Sequence, residues 1–147
     1  MRAARAALSV LFIVCLTPFQ LSCAGADDAP EKRAARAGAR FHSLFEKQEF
    51  KEMYKMASAR MQSEMGEEEF VSLFRNYRLR LGDVREARPL GEAGSAATLD
   101  GVRFTTSYHV KGSKAPCAYD TFWEFEDGDA KLVSFSFIFD FPQSQRK

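Results

Sequence analysis

Downstream of residue 29, apolar side chains first recur every three or four positions, the spacing that places them on one face of an α-helix. This pattern predicts three amphipathic helices, over residues 30–48, 49–58 and 67–81. Residues 59–66 are interpreted as a connector between the second and third helices. The third helix has the most regular apolar stripe, which consists of Phe70, Leu73, Phe74, Tyr77 and Leu81.

Beyond the third helix the apolar positions alternate with polar ones, as in β-strands that bury one face. The alternation predicts four strands, at residues 84–90, 102–111, 116–126 and 131–141. The small residues of segment 91–97 predict a flexible loop, and Asp127-Gly128 is typical of a hairpin turn. Leu132 falls on the opposite face from the apolar set of the last strand, which is Val133, Phe135, Phe137, Phe139 and Phe141.

Helices followed by a run of antiparallel strands predict an α+β fold. An amphipathic helix is stable only when its apolar face is packed, so we expect the three helices to pack on a curved antiparallel sheet of about four strands. The 147 residues include 14 Phe, which suits the walls of a cone-like sheet. The predicted domain covers residues 34–141 and is followed by a polar tail, 142–147.

The first 26 residues have the three-part order of a secretory signal peptide. Two arginines precede an uncharged apolar run at residues 6–19, and Ala24-Gly25-Ala26 matches the cleavage pattern of signal peptidase. The apolar run is shorter than the ~20 residues that a stable membrane span requires, which argues against an uncleaved anchor. Residues 27–33 are interpreted as a linker to the domain.

A second cleavage site competes with the first. Gln20-Leu21-Ser22-Cys23 resembles a bacterial lipobox, in which the cysteine becomes the lipidated first residue, although an apolar residue is usual where Gln20 stands. Both alternatives predict a mature protein outside the cytoplasm. It would be either periplasmic or anchored to the cell envelope by a lipid on Cys23.

Charge and cysteine content limit the partners that we expect. The chain has 21 Lys and Arg against 20 Asp and Glu, so it lacks the basic excess of nucleic-acid-binding domains. We therefore expect no nucleic acid, and contact with a membrane only through a lipid on Cys23. Cys117 is the only cysteine within the predicted domain, which favours a buried thiol in the core.

Short segments spread over residues 34–141 also carry a family resemblance. They are FHSLFEKQEF at 41–50, Tyr54 with Ala57-Ser58, MGEEEF at 65–70, RLG at 80–82 and the turns at Lys111-Gly112 and Asp127-Gly128. The set resembles the nuclear transport factor 2-like superfamily, also called the cystatin-like cone, and within it small exported bacterial domains. That superfamily includes ketosteroid isomerases, dehydratases and non-catalytic binding modules. The resemblance therefore implies a fold and a pocket position, and no particular reaction.

Two residues on neighbouring predicted strands are candidates for acid–base chemistry. If the strands pair across the turn at 111–115, His109 and Asp120 fall within a residue or two of each other, and a carboxylate can orient a histidine. Both residues belong to the more polar face of their strands. This position favours a solvent-facing cross-strand pair over a catalytic one.

Other candidate sites have structural interpretations. Glu67, Glu68 and Glu69 stand in the first turn of the third predicted helix, where negative charge is favourable. His42 lies at the margin of the first helical stripe and is interpreted as an interfacial residue without chemistry. The two histidines and the cysteine of the domain are too far apart in sequence for a zinc pattern, so we predict no metal and no cofactor.

These observations predict an exported, non-catalytic binding module. The ligand would be a small apolar molecule in the cone or a protein on the sheet, and the half-apolar outer face of the sheet would suit a homodimer. The alternative is a small enzyme of the isomerase or dehydratase type that uses the same pocket. The side chains expected to line the apolar space are Tyr54, Phe74, Tyr108 and Trp123.

Overall fold

The computed structural model describes residues 29–139; the predicted signal segment, Cys23 and the tail at 142–147 lie outside the described residues. Four helices come first, at Pro30–Lys47 (α1), Phe50–Tyr54 (α2), Ala59–Glu64 (α3) and Glu67–Leu81 (α4). Five strands follow, at Val84–Pro89 (β1), Gly94–Thr98 (β2), Gly101–Gly112 (β3), Pro116–Glu126 (β4) and Asp129–Phe139 (β5). The α+β prediction is confirmed. No helix within the described range is long and apolar enough to cross a membrane.

Local chemistry explains where α1 begins and ends. Pro30 supplies a helical φ at the first turn, and Glu31 adds negative charge near the positive end of the helix dipole. The helix stops at Gln48, which adopts the left-handed conformation with φ of 61°. Gln48 is therefore an exposed cap and not part of the buried face, which consists of Ala34, Gly38, Phe41, His42, Leu44 and Phe45.

The segment predicted as a connector contains the short helix α3. The Ser58 hydroxyl oxygen caps this helix by accepting a hydrogen bond from the backbone N–H of Met61 at 3.1 Å. Met61 is the one buried residue of α3. Six residues with one buried side chain do not establish a helical period, and the prediction of three helices was short by one for that reason.

The sheet is antiparallel, with β3, β4 and β5 paired in chain order. Both β1 and β2 pair with the outer edge of β3: β1 with its C-terminal half and β2 with its N-terminal half. The segment predicted to be flexible thus contains a strand, and only residues 90–93 depart from the edge. Small side chains such as Ala96 and Ala97 give no alternating pattern because this edge strand is exposed on both faces.

The predicted face of Leu132 is wrong because the sheet contains a β-bulge. The register of β4 and β5 shifts so that Phe122 pairs with Ser134 but Trp123 pairs with Leu132. The extra residue, Val133, reverses the side-chain alternation at that point. Leu132 is consequently fully buried on the helix side of the sheet, where the partly buried Phe side chains of β5 also pack against the core.

Aromatic rings fill the space between the helices and the sheet. The ring of Phe74 on α4 lies 5.7 Å from that of Phe41 on α1, and 4.8 Å and 5.5 Å from those of Phe135 and Phe137 on β5, measured between centroids. Phe74 has no exposed surface and lies at the centre of this packing. The centre of the cone is a packed aromatic core.

Candidate functional site

The two predicted acid–base residues lie on the outer face of the sheet. Asp120 pairs with Ser107 and His109 pairs with Ala118, so the two residues are offset by two positions, as the sequence predicts. The Ser107 hydroxyl donates a hydrogen bond to Asp120 Oδ1 at 2.5 Å. Because Tyr119 and Thr121 of β4 point to the helices and are buried, the intervening Asp120 points away from them.

The four predicted ligand-lining residues occupy different environments. Phe74 and Trp123 are fully buried, and the Trp123 indole N–H donates to the hydroxyl oxygens of Thr106 and Thr121 at 3.2 Å and 3.0 Å. The Tyr54 hydroxyl donates to the backbone carbonyl of Met65 at 3.0 Å. A ligand could reach Phe74 or Trp123 only if the core rearranged. Tyr54 and Tyr108 are partly buried, and of the two Tyr108 lines the cleft described next.

Tyr108 is part of a cleft of about 550 Å³ at the edge of the sheet, here called the Tyr108 cleft. One wall is the first two turns of α1 and the other is the loop at 90–93, where the edge strand leaves β3. Gly91 in this loop has φ of 93°, a conformation that glycine adopts without strain. The residues that line the cleft include Lys32, Ala35, Pro89, Ala93, Thr106 and Tyr108.

A buried polar network lies directly behind the Tyr108 ring. The ring stacks on the imidazole of His42 with 4.6 Å between centroids and 11° between planes. His42 Nδ1 hydrogen-bonds the Tyr119 hydroxyl, and Nε2 lies 3.3 Å from Glu46 Oε1. One tautomer fits both contacts: Nε2–H donates to the carboxylate and Nδ1 accepts from the tyrosine.

The environment of this network sets its protonation. Burial lowers the pKa of His42 below its ordinary value of 6.5, and the Glu46 carboxylate opposes that shift without cancelling it. Burial raises the pKa of Tyr119 well above its ordinary value of 10.0. At neutral pH the pair is therefore a neutral imidazole and a neutral phenol.

The interfacial position of His42 is predictable from the helical stripe, but its hydrogen-bond partner on the sheet is not. Glu46 lies four residues after His42 on the same helix, and that spacing alone could have indicated the contact. Tyr119 is 77 residues away in the chain, on strand β4. Only the packing of α1 across β3 and β4 brings the phenol and the imidazole together.

We expect the network to make the stability of the protein depend on pH. The unfolded chain takes up a proton near pH 6.5 while the folded chain resists it, so stability falls as pH drops below 6.5. His42→Gln should reduce the slope of the urea midpoint against pH in this range. His109→Gln is the control, because it removes the other histidine from the outer face. Parallel slopes for wild type and His42→Gln would contradict the assignment.

Cys117 is a core residue, as predicted. Its side chain is fully buried, and burial raises the pKa of the thiol to about 11. The thiol is protonated at neutral pH and is a poor nucleophile. Among residues 29–139, no group of three His, Cys, Asp or Glu side chains is placed to hold a metal ion.

The comparisons with known proteins assign no family to this chain. No protein-family model matches the chain, and a search of curated proteins by sequence gives no match. The resemblance to the nuclear transport factor 2-like superfamily therefore stays a prediction that rests on the residues that carry it.

Proposed function

We propose that the protein is an exported bacterial envelope module that binds a small molecule with an apolar face in the Tyr108 cleft, without catalysing a reaction. The observation that carries this proposal is the cleft itself: a volume of about 550 Å³ with an aromatic side chain in its wall. That volume lies within the range of small-molecule sites, which are mostly apolar with a few polar groups. The packed core directs the ligand to this edge.

The chemistry of the cleft favours a ligand with a flat or chain-like apolar part. Ala35, Pro89 and Ala93 add apolar surface to that of the Tyr108 ring, and Lys32, Glu31 and Glu92 supply charge to the lining. Each 100 Å² of ligand apolar surface buried here would contribute about 2.5 kcal/mol before the entropic cost of association. Aromatic metabolites, steroids and fatty acids are the classes with suitable surface.

A binding role without catalysis follows from the position of the acid–base groups. The Tyr108 ring lies between the cleft and the His42 imidazole, and Tyr119 is only 2% exposed. A general acid or base must come within hydrogen-bonding reach of its substrate. In the observed arrangement a molecule in the cleft meets the ring of Tyr108 first.

The enzyme alternative rests on the same network. His42 and Tyr119 form a neutral proton acceptor and donor close to a cleft, and such pairs are common in proton-transfer sites. If Tyr108 moved aside, the imidazole would face the ligand. An isomerase or dehydratase reaction is the second candidate for this reason alone.

We expect Ala35→Phe to abolish binding, because a ring at this exposed position of α1 fills the cleft. Ala39→Phe places the same ring one turn further along α1, outside the cleft lining, and is the matched control. Binding of a steroid, a fatty acid and an aromatic metabolite can be followed by Trp123 fluorescence. Its indole N–H donates to Thr106, a residue of the cleft wall.

The proposal predicts an emission shift with at least one class of ligand in wild type and Ala39→Phe, and none in Ala35→Phe. No shift with any of the three classes, in emission or in amide resonances, would overturn small-molecule binding and favour a protein partner. Turnover of a bound ligand that is lost in His42→Gln would overturn the non-catalytic reading and support the enzyme.

A further inference from the structure

The two edges of the sheet differ in how they are protected against pairing with a further strand. β1 and β2 form one edge, and β1 carries residues that discourage pairing, which are Arg85, Glu86, Arg88 and Pro89. β5 forms the other edge, and residues 132–139 of this strand read LVSFSFIF, without charge or proline. Long uncharged edge strands pair readily with other strands. We infer that β5 pairs with β5 of a second copy of this chain, which joins two sheets into one.

The backbone of β5 presents hydrogen-bonding groups along this edge. At its start, Leu132 bonds outward, since its N–H donates to the carbonyl of Met56 and its carbonyl accepts from the N–H of Ser58, each at 2.8 Å. Beyond the bulge, the register with β4 turns the N–H and C=O groups of even-numbered residues toward β4. Those of the odd-numbered residues from 135 to 139 point away from β4. No backbone group within residues 29–139 bonds to these outward groups.

The helix above this edge has an apolar flank that the sheet does not cover. Leu73, Tyr77 and Arg80 are three, four and seven residues apart and so lie on one side of α4. The Tyr77 ring stacks on that of Phe137 with 4.5 Å between centroids, and the Arg80 guanidinium lies 4.4 Å from the centroid of the Phe139 ring. This side of α4 therefore faces β5. Leu73 is only partly buried and does not pack against the core of the described residues, so a strand added beside β5 would cover it.

A second β5 fits the edge because the available stretch is complementary to itself. Leu132 is already bonded, which leaves residues 133–139, and the centre of that stretch is Ser136. Antiparallel pairing about this centre brings the outward groups of Phe135 opposite those of Phe137 in the second copy, twice by symmetry. The rings of these two residues then form cross-strand aromatic pairs on the helix side of the joined sheet.

The size of the contact predicts how tightly the two copies associate. Seven paired residues span about 24 Å at ~3.4 Å per residue. One sheet layer and one helix layer together are roughly 20 Å deep. The resulting area, roughly 500 Å² per copy in projection, lies close to the ~600 Å² per partner at the lower limit of stable interfaces. We therefore expect a dimer that dissociates on dilution.

The test measures the dimer dissociation constant of the purified full chain by sedimentation equilibrium over a wide range of protein concentration. Ser136 is exposed, and Ser136→Lys places two like charges directly opposite each other at the centre of the pairing. Ser136→Glu does the same with negative charge, whereas a mixture of the two variants forms an attractive pair. Ser95→Lys is the matched control, because Ser95 is also exposed but lies on β2 at the opposite edge. Hydrogen exchange of the Phe135 and Phe137 amides reports whether the β5 edge is covered.

We expect each Ser136 variant to raise the dissociation constant by about fivefold or more, because like charges directly opposite each other destabilise a strand pair. An equimolar mixture of the two should return to the wild-type constant or below it, and Ser95→Lys should leave the constant unchanged. The Phe135 and Phe137 amides should exchange more slowly in the wild-type dimer than in the Ser136→Lys monomer.

Three results would overturn the inference. A wild-type monomer with slowly exchanging Phe135 and Phe137 amides would mean that another segment of the same chain, such as residues 140–147, covers the edge. A wild-type monomer with rapidly exchanging amides would leave the edge to a segment of a different protein. A dimer that Ser136→Lys does not weaken would use another surface.

Discussion

Replacing Phe74 with alanine is expected to lower the free energy of unfolding by about 3–5 kcal/mol. The side chain is fully buried, and its ring lies within 4.4 Å of that of Phe70 and 4.8 Å of that of Phe135, measured between centroids. Removal of the ring leaves a cavity that two helices and a strand cannot close together. Because small domains have a total stability of about 5–15 kcal/mol, the variant should be near the limit of folding.

Leu79→Ala is the matched control for that experiment. Leu79 lies on the same helix but is 62% exposed, so the same kind of truncation should change stability by under about 0.5 kcal/mol. Glu68→Ala, at the exposed start of α4, should lower stability by under about 1 kcal/mol through loss of a favourable dipole interaction. Urea melts of the three variants measure these differences. Similar midpoints for Phe74→Ala and Leu79→Ala would contradict the packing described for α4.

The spacing of apolar residues predicts the helices and strands of this fold that have one buried face and one solvent-exposed face. The stripe of α4 and the alternation along β3 and β4 are long enough to show their period, and all three elements are found where expected. The turn at Asp127-Gly128 is also found, with Asp127 at φ of 50°. Residues whose surroundings are set by their own neighbours in sequence are therefore predictable.

Elements whose surroundings are set by distant residues were missed. β2 is exposed on both faces and has no alternation to detect, and it is a strand because β3 offers a free edge. The bulge that buries Leu132 comes from a register shift between two strands and leaves no mark in the alternation of one. Local patterns contain no information about such pairings.

The candidate sites divide in the same way. His109 and Asp120 are neighbours across one hairpin, and their offset follows from the turn between them. The contact of His42 with Tyr119 depends on how α1 crosses the sheet.

The crossing of α1 over the sheet depends on Gly38, and Gly38→Ala is expected to lower stability by about 1–2 kcal/mol. A Cβ at this position would lie 2.2 Å from the hydroxyl oxygen of Thr106 and 2.8 Å from its Cβ. Rotation of the threonine side chain moves the hydroxyl but not the Cβ, so the helix must shift away from β3. Such overpacking costs about 1–3 kcal/mol, which exceeds the gain of up to ~1 kcal/mol that alanine normally brings to a helix.

Gly94→Ala is the control, since an added Cβ there has no atom within 4 Å. Its urea midpoint should match or slightly exceed that of wild type. A second measurement follows from the contacts of Thr106, which accepts a hydrogen bond from the Trp123 indole N–H. Displacement of Thr106 should shift the tryptophan emission in Gly38→Ala but not in Gly94→Ala. If Gly38→Ala proved more stable than wild type with unchanged emission, α1 would not approach β3 as closely as described. The position of the α1 wall of the Tyr108 cleft would then be wrong as well.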